Sequence, residues 1–355
     1  MNTVADFTEA ELIARIQEHL PPAPAWLVVG IGDDAAVVEP ERNRLDVLSV
    51  DALVEGVHFD RAFTPPDAVG HRALAVNLSD LAAMGATPRL ALLSLALPPA
   101  LSIAEFDGLI AGLTALAARH RLHVAGGNLT RSPGPLVLDV TMAGTVKRRG
   151  SLLRRGARPG DDLYVSGTIG AAAAGLEMLK AGRSATTEGT ATNRGHGTIE
   201  QPCPPLTSVS SVVEPCIRRY LYPEPRVRLG LMMGRNRAAA ACMDLSDGLA
   251  DAVQQLAGAS GVGAVIEGDA VPIEPEARRW FETNGTDAVP AAIAGGDDYE
   301  LLLAVRPRTR RRFLAAQRGS DVPVSRIGTC TADPAVLLRH GGACRPLPRG
   351  YTHFR

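Results

Sequence analysis

Apolar and polar residues alternate along this chain in two rhythms. In "FTEAELIARIQEHL" (7–20), Leu12, Ile16 and Leu20 recur every four residues, which predicts the buried face of a helix. Thr8 and Glu11 at its start have the spacing of a capping box. The short apolar runs "WLVVG" (26–30) and "LDVLSVD" (45–51) predict strands that lead into acidic residues. A helix is predicted from about Asp67 to Met84, with Gly85 suited to its C-terminal stop. "LALLSLAL" (90–97) predicts a buried strand, and Ser102 with Glu105 a second capped helix. A short strand at "LHV" is predicted to run into a glycine turn, "AGGN" (125–128), before a further strand at "LVLDVTMAGTV" (136–146).

The pattern resumes after a basic, glycine-containing run, "KRRGSLLRRGARPGDD" (147–162), which reads as a crossing between domains. "DLYVSG", "AACMDLSDG", "YELLLAV" and "PVSRIGT" predict strands, and "IGAAAAGLEMLKAG" and "DGLADAVQQLAG" predict helices. Strands and helices alternate in both halves, so the expected class is α/β with α+β layers. A chain of 355 residues is long for one core, which suggests two domains, 1–148 and 149–355. Residues 183–215 break the rhythm with Ser, Thr, Gly and Pro and read as a mobile surface insertion.

Composition narrows the function classes. Hydrophobic content of 46% and charged content of 21% suit a soluble globular protein. A formal net charge of −1 provides no basic field for nucleic acid. Lys147 and Lys180 are the only lysines, and no GxxxxGK[ST] loop occurs. Phosphate recognition would therefore fall to Arg, backbone N–H groups or metal ions. Five cysteines with no CxxC pair argue against a disulfide framework or a zinc site. The N-terminus lacks the features of a signal peptide, and no apolar run reaches the roughly 18 residues of a membrane span. A cytoplasmic location without membrane contact is expected.

Five short acidic motifs stand at strand ends or beside glycine: "GIGDD" (30–34), "SVD" (49–51), "NLSDLAAMG" (77–85), "DLSDG" (244–248) and "GGDDYE" (295–300). Turn and cap chemistry accounts for any one of them alone. It does not account for Asp80, a carboxylate inside an otherwise apolar helix, where an unpaired charge is costly. Asn77, three residues earlier, shares its helix face. A cation would justify that placement. Carboxylates with Ser and Asn are hard oxygen ligands, suited to Mg²⁺ or Mn²⁺. Several aspartates holding such ions point to a nucleoside triphosphate site. Arg154 and Arg155 add forked donors for phosphate.

"GIGDDAAVV", "SVDALVEGVHF", "ALAVNLSDLAAMGATP", "RRGARPGDDLYVSG", "MDLSDGL", "GGDDYELL" and the terminal "GYTHF" occur here in the order found in thiamine-monophosphate kinases. The chain resembles that family from about Leu12 to Phe354, apart from 183–215. The family belongs to the superfamily typified by aminoimidazole ribonucleotide synthetase. The resemblance implies a two-domain fold, a homodimer whose N-terminal domains form a shared β-barrel, and ATP bound between domains near the dimer interface. It implies direct transfer of phosphate from ATP to thiamine monophosphate, with several Mg²⁺ ions. It implies metal ligation by Asp34, Ser49, the Val50 carbonyl, Asp51, Asp80, Asn128, Asp244 and Asp247. ATP would meet Gly127, Asn128, Arg154 and Ser246. His58, Asp297 and Tyr351 would meet thiamine monophosphate, with the Tyr351 ring suited to stacking on the cationic thiamine. Asp33 is left to brace its turn.

The chain departs from the family pattern at three places. Asn128 stands where many members have Asp, Thr352 where Asp is frequent, and Asp297 where Glu is common. Asn128 keeps an oxygen ligand and loses a charge. Two other readings follow: an ATP-dependent enzyme of the same superfamily with a different acceptor, or a non-catalytic binder of nucleotide or thiamine phosphate.

Overall fold

The structure is a computed structural model that describes residues 2–191 and 214–350. Its first half runs α1 (Glu9–Glu18), β1 (Leu27–Val29), β2 (Val37–Val38), β3 (Arg44–Val54), α2 (Pro66–Ala83), β4 (Thr87–Leu97), α3 (Ile103–Arg119), β5 (His123–Arg131) and β6 (Val137–Lys147). Both sequence-predicted capping boxes form. Thr8 and Ser102 each accept from the backbone N–H three residues on, and Glu11 and Glu105 return the bond. Gly85 has a φ of 66° just past α2, as a helix stop requires.

Four strands make one sheet in the order β3-β6-β4-β5, with only the β4–β5 pair parallel. The expected turn at "AGGN" is a correction. Residues 125–128 lie inside β5, with Gly127 opposite Leu93 and Asn128 opposite Ser94. A Cβ on Gly127 would stand 1.9 Å from the Leu93 carbonyl oxygen. Close approach of two strands therefore explains this glycine without a phosphate.

The second half contains β7 (Asp162–Ser166), α4 (Ala171–Ala191), α5 (Glu214–Leu221), α6 (Val227–Asn236), β8 (Ala241–Asp244), α7 (Leu249–Ser260), β9 (Gly263–Glu267), α8 (Pro275–Thr283) and α9 (Ala288–Ala294). It ends with β10 (Leu301–Val305), α10 (Arg310–Arg318), β11 (Val324–Thr331), β12 (Val336–His340) and β13 (Ala343–Pro346). Its seven strands form a sheet in the order β13-β12-β9-β11-β7-β10-β8, antiparallel except for β12 against β9. The insertion expected at 183–215 falls mostly outside the described residues. Within it, α4 continues to Ala191 and α5 begins at Glu214. No helix among the described residues is long and apolar enough to cross a membrane.

Helix α2 joins the halves. It lies against α3, β3 and β6 on one side and against α5, α6 and β8 on the other. Fifteen of its 18 residues are buried, which explains why its sequence is apolar nearly all round. Glycines set the spacing of its neighbours. A Cβ on Gly70 would stand 1.9 Å from the Leu109 carbonyl, one on Gly112 1.9 Å from the Asp67 carbonyl, and one on Gly230 1.9 Å from the Ala82 carbonyl. The obstacle in each case is backbone, which cannot move aside without shifting a helix. Gly70→Ala is expected to destabilise the protein by about 3 kcal/mol. Chemical denaturation checks this, and an unchanged midpoint would show that the α2–α3 crossing is not held by this contact.

Candidate active site

Three carboxylates meet where the halves join. Asp51 comes from β3, Asp80 from the last turns of α2, and Asp244 from the end of β8. On β3, Val47, Ser49, Asp51 and Leu53 face inward, while Leu48, Val50 and Ala52 are exposed. Ser49 Oγ donates to Asp80 Oδ2, and Ser79 Oγ donates to Asp244 Oδ2 at 2.9 Å. Burial pushes Asp51 up to about 7, and the Asp80 carboxylate adds to the rise. Asp244 is likewise pushed up to about 7, by burial first and the Asp80 charge second, with Ser79 and Arg154 opposing.

Two cavities meet at these groups. The larger, about 840 Å³, is lined by Asp51, Asp80 and Asp244, and also by His58, Ser246, Asp247 and Asp297. Phe59, Phe63, Tyr220 and the α4 residues Ala172, Ala173 and Leu176 supply its apolar wall. The smaller, about 380 Å³, is lined by Ser49, Leu153, Arg154 and Met243 and shares Asp80 and Asp244 with the first. Arg154 also donates to Gln255 Oε1 at 2.7 Å. His58 Nδ1 accepts from the Val54 N–H at 3.0 Å, which assigns the proton of the neutral ring to Nε2.

The motifs "DLSDG" and "GGDDYE" lie against each other. Asp297 N–H donates to the Ser246 carbonyl at 2.7 Å, Tyr299 N–H to the Leu245 carbonyl at 3.1 Å, and Leu245 N–H to the Glu300 carbonyl at 2.9 Å. Gly248 (φ 95°) has the Gly295 carbonyl 2.6 Å from where its Cβ would be. Asp297 and Tyr299 both adopt left-handed φ values, 67° and 50°, uncommon for residues with side chains. Asp297 and Tyr299 line the larger cavity. Asp298 and Glu300 are buried, with Asp298 accepting from the Gly170 and Ala172 N–H groups at the start of α4. Glu300 is held by Arg219, Arg226 and Ser166.

Not every sequence-predicted residue joins this site. Asp34 is exposed and lines neither cavity; its N–H donates to Asp33 Oδ1 at 2.9 Å, so Asp33 braces the turn. Gly127 and Asn128 are exposed on edge strand β5 and line neither cavity. The register explains Asn128. It shares a cross-strand row with Ser94, Asp139 and Ala52, one residue out of step with the row of Asp51, and so belongs to the opposite face of the sheet. The Val50 side chain is also on that exposed face. Tyr351 lies outside the described residues. Although Asp51, Asp80 and Asp244 converge, no group of three or more His, Cys, Asp or Glu side chains among the described residues is already arranged to hold a metal ion.

Sequence reasoning missed Arg72. It lies on α2 at four-residue spacing from Val76 and Asp80, and all three line the larger cavity. The signal was the same as for Asp80: a charge inside an apolar helix.

Comparison with known proteins identifies the family. Residues 32–146 match the AIR synthase related protein, N-terminal domain, and residues 158–340 its C-terminal domain. The chain is 37% identical over 330 residues to a thiamine-monophosphate kinase of Synechococcus elongatus, covering 91% of each. The structure of a thiamine-monophosphate kinase from Stenotrophomonas maltophilia is similar with a TM-score of 0.78 and 36% identity, over 95% of this chain and 98% of that one. The structure of AaThiL complexed with AMPPCP and TMP is similar with a TM-score of 0.72 and 30% identity, over 97% and 96%.

The raised carboxyls give a pH test. In the unfolded chain Asp244 titrates in the ordinary carboxylate range; in the fold it titrates near 7. Its contribution to stability is full below the ordinary range and is lost as pH rises through 7. His71 and His120 are lowered by burial, so their effect falls on the acid side. In chelator-treated protein, the Asp244 contribution to the thermal midpoint is expected to fall between about pH 4 and about pH 7 and to be flat above that, and Asp244→Asn should remove that fall and raise the midpoint at pH 7 and above. Parallel profiles for the two proteins would show that Asp244 is not held against its charge.

Proposed function

The chain belongs to the AIR synthase related proteins and, among them, to the thiamine-monophosphate kinases. From that premise we propose that it transfers the γ-phosphoryl group of ATP directly to thiamine monophosphate, giving thiamine diphosphate and ADP. The observation that carries this reading is the pair of cavities sharing Asp80 and Asp244. Two phosphorylated substrates entering from either side would bring their phosphates together at those carboxylates. The smaller cavity, with Arg154, suits the nucleotide phosphates; the larger, with its aromatic wall and His58 and Asp297, suits the thiamine ring.

In this reading the chain positions its substrates and fixes where charge is tolerated. Arg154 binds and orients donor phosphate, with Ser246, on the larger-cavity side of the shared carboxylates, as a further phosphate contact; Gly127 lines neither cavity and is not assigned to the nucleotide. His58 would contact the acceptor, Asp297 would accept from it, and Tyr351, outside the described residues, would stack on the thiamine ring. The attacking phosphate oxygen is already ionised at neutral pH, so no residue is assigned as a general base. The carboxylate and hydroxyl donors fit hard divalent cations: Asp51 and Asp244 are raised by burial and mutual charge, the mark of a site short of positive charge. Mg²⁺ held by Asp51, Asp80, Asp244 and Asp247, with Ser49 and the Val50 carbonyl as further ligands, would neutralise phosphate charge; Asp34 and Asn128, which line neither cavity, are not assigned to these ions.

We further propose the domain division 1–148 and 149–355, a cytoplasmic location and a homodimer. The four-stranded sheet is open, with β3 and β5 at its edges. Val50, Thr141 and Leu92 share one row across its outer face, where Val50 and the nearby Leu48 are 60% and 73% exposed. Such an apolar sheet face suits burial against a second copy, whose sheet would complete a shared barrel. Asn128 lies on that same face.

Single-turnover reaction with ATP and thiamine monophosphate tests the activity. Equal amounts of ADP and thiamine diphosphate are expected. Binding without ADP would leave a non-catalytic binder, and ADP formed only with another acceptor would leave a different enzyme of the superfamily. Asp80→Asn is expected to lower turnover by about a hundredfold or more, the scale of losing one preorganised electrostatic contact. Its metal-free stability should be unchanged or higher. Wild-type turnover at limiting Mg²⁺ would remove Asp80 from the phosphate site.

A further inference from the structure

Arg72 is a fully buried cation, 1% exposed, in the wall of the larger cavity. Burying a guanidinium is costly unless its donors and its charge are matched. Its guanidinium lies over the Tyr220 ring, 4.3 Å from the centroid, and Nη1 donates to the Tyr220 carbonyl. Nη2 donates to Asp297 Oδ2 at 3.3 Å, the ion pair shown for this side chain. Nε is buried without a hydrogen-bond partner among the described residues. Asp297 is also gripped from its other oxygen: Tyr299 Oη donates to Oδ1 at 2.9 Å. The carboxylate is thus fixed by two donors and by a left-handed backbone, at the edge of the cavity and 32% exposed.

We infer that Arg72 is a positioning residue for acceptor specificity: it pairs with Asp297 and orients its carboxylate so that the remaining lone pairs accept from an amino group on the acceptor's heteroaromatic ring. The inference rests on the proposed function and adds to it a specificity device. An ionised carboxylate is acceptor-only. It favours a ring bearing an exocyclic amine, as the aminopyrimidine of thiamine does, and repels a ring bearing a carbonyl there. A site built around one such hydrogen bond discriminates strongly, because the wrong ligand leaves a desolvated group unpaired. Arg72 supplies what this needs: a permanent charge that cannot be lost by deprotonation, and a stack on Tyr220 that fixes its plane. Its place on α2, two turns from Asp80, ties the recognising carboxylate to the same rigid helix that carries the phosphate-side carboxylate.

The test compares thiamine monophosphate with its 4-oxo analogue as acceptors for wild type, Arg72→Met, Arg72→Lys and Asp297→Asn. For wild type, failure to form thiamine diphosphate at all would overturn the proposed function. If wild type turns over, the specificity ratio decides the inference alone. Arg72→Met is expected to raise KM for thiamine monophosphate about tenfold, equivalent to about 1.4 kcal/mol. It should leave KM for ATP unchanged and lower the preference over the 4-oxo analogue to that of Asp297→Asn. Arg72→Lys, which keeps the charge, should restore most of the preference. An undiminished preference in Arg72→Met overturns the inference, because a raised KM for both acceptors alike would mean that Arg72 binds the phosphate they share. If Arg72→Met gives no folded protein, Asp297→Asn and Arg72→Gln carry the same comparison, and an unchanged preference in Asp297→Asn overturns it equally.

Discussion

Three carboxylates that repel one another, on three different elements, organise this molecule. Asp51, Asp80 and Asp244 are drawn together where β3, the end of α2 and the end of β8 converge. Nothing in the hydrophobic effect favours that arrangement, and burial raises two of the three toward neutrality. The fold opposes the repulsion with apolar packing around α2, where glycine lets α3 and α6 approach to backbone contact. Hydroxyls from Ser49 and Ser79 then satisfy part of the carboxylate surface. Stability is thus given up locally to keep negative charge where phosphates and cations are proposed to meet.

The segment 295–300 shows how one irregular stretch serves both structure and site. Asp297 and Tyr299 line the large cavity, while Asp298 and Glu300 turn into the protein. Asp298 accepts from the N–H groups at the start of α4, the helix that forms part of the cavity's apolar wall. Glu300 collects two arginines, one from α5 and one from the N-terminal end of α6. The recognising face is therefore held by the elements that surround it, and the left-handed backbone at 297 and 299 is maintained by that surrounding structure.

The outer face of the four-stranded sheet is the unfinished part of a single chain. Its apolar residues and Asn128 lie on one side of a surface that has no cover among the described residues. Asn128 belongs to that face, whereas Asp51 belongs to the other.

The sequence by itself determined many of the helices and strands and the acidic character of the candidate site. Capping boxes at Thr8 and Ser102, the stop at Gly85 and the apolar rhythms are local signals, so they survive without tertiary knowledge. Asp80 was legible because a charge inside an apolar helix violates a local rule. "AGGN" was misread because glycine signals a turn locally, while its cause here is a neighbouring strand 1.9 Å from a would-be Cβ. Arg72 carried the same local signal as Asp80, but its partners, Tyr220 and Asp297, are 148 and 225 residues away. Only the tertiary structure could decide which acidic motifs share a cavity, because strand register puts Asp51 and Asn128 on opposite faces of one sheet. A period of two fixes which residues share a face, but the pairing of strands decides what that face meets.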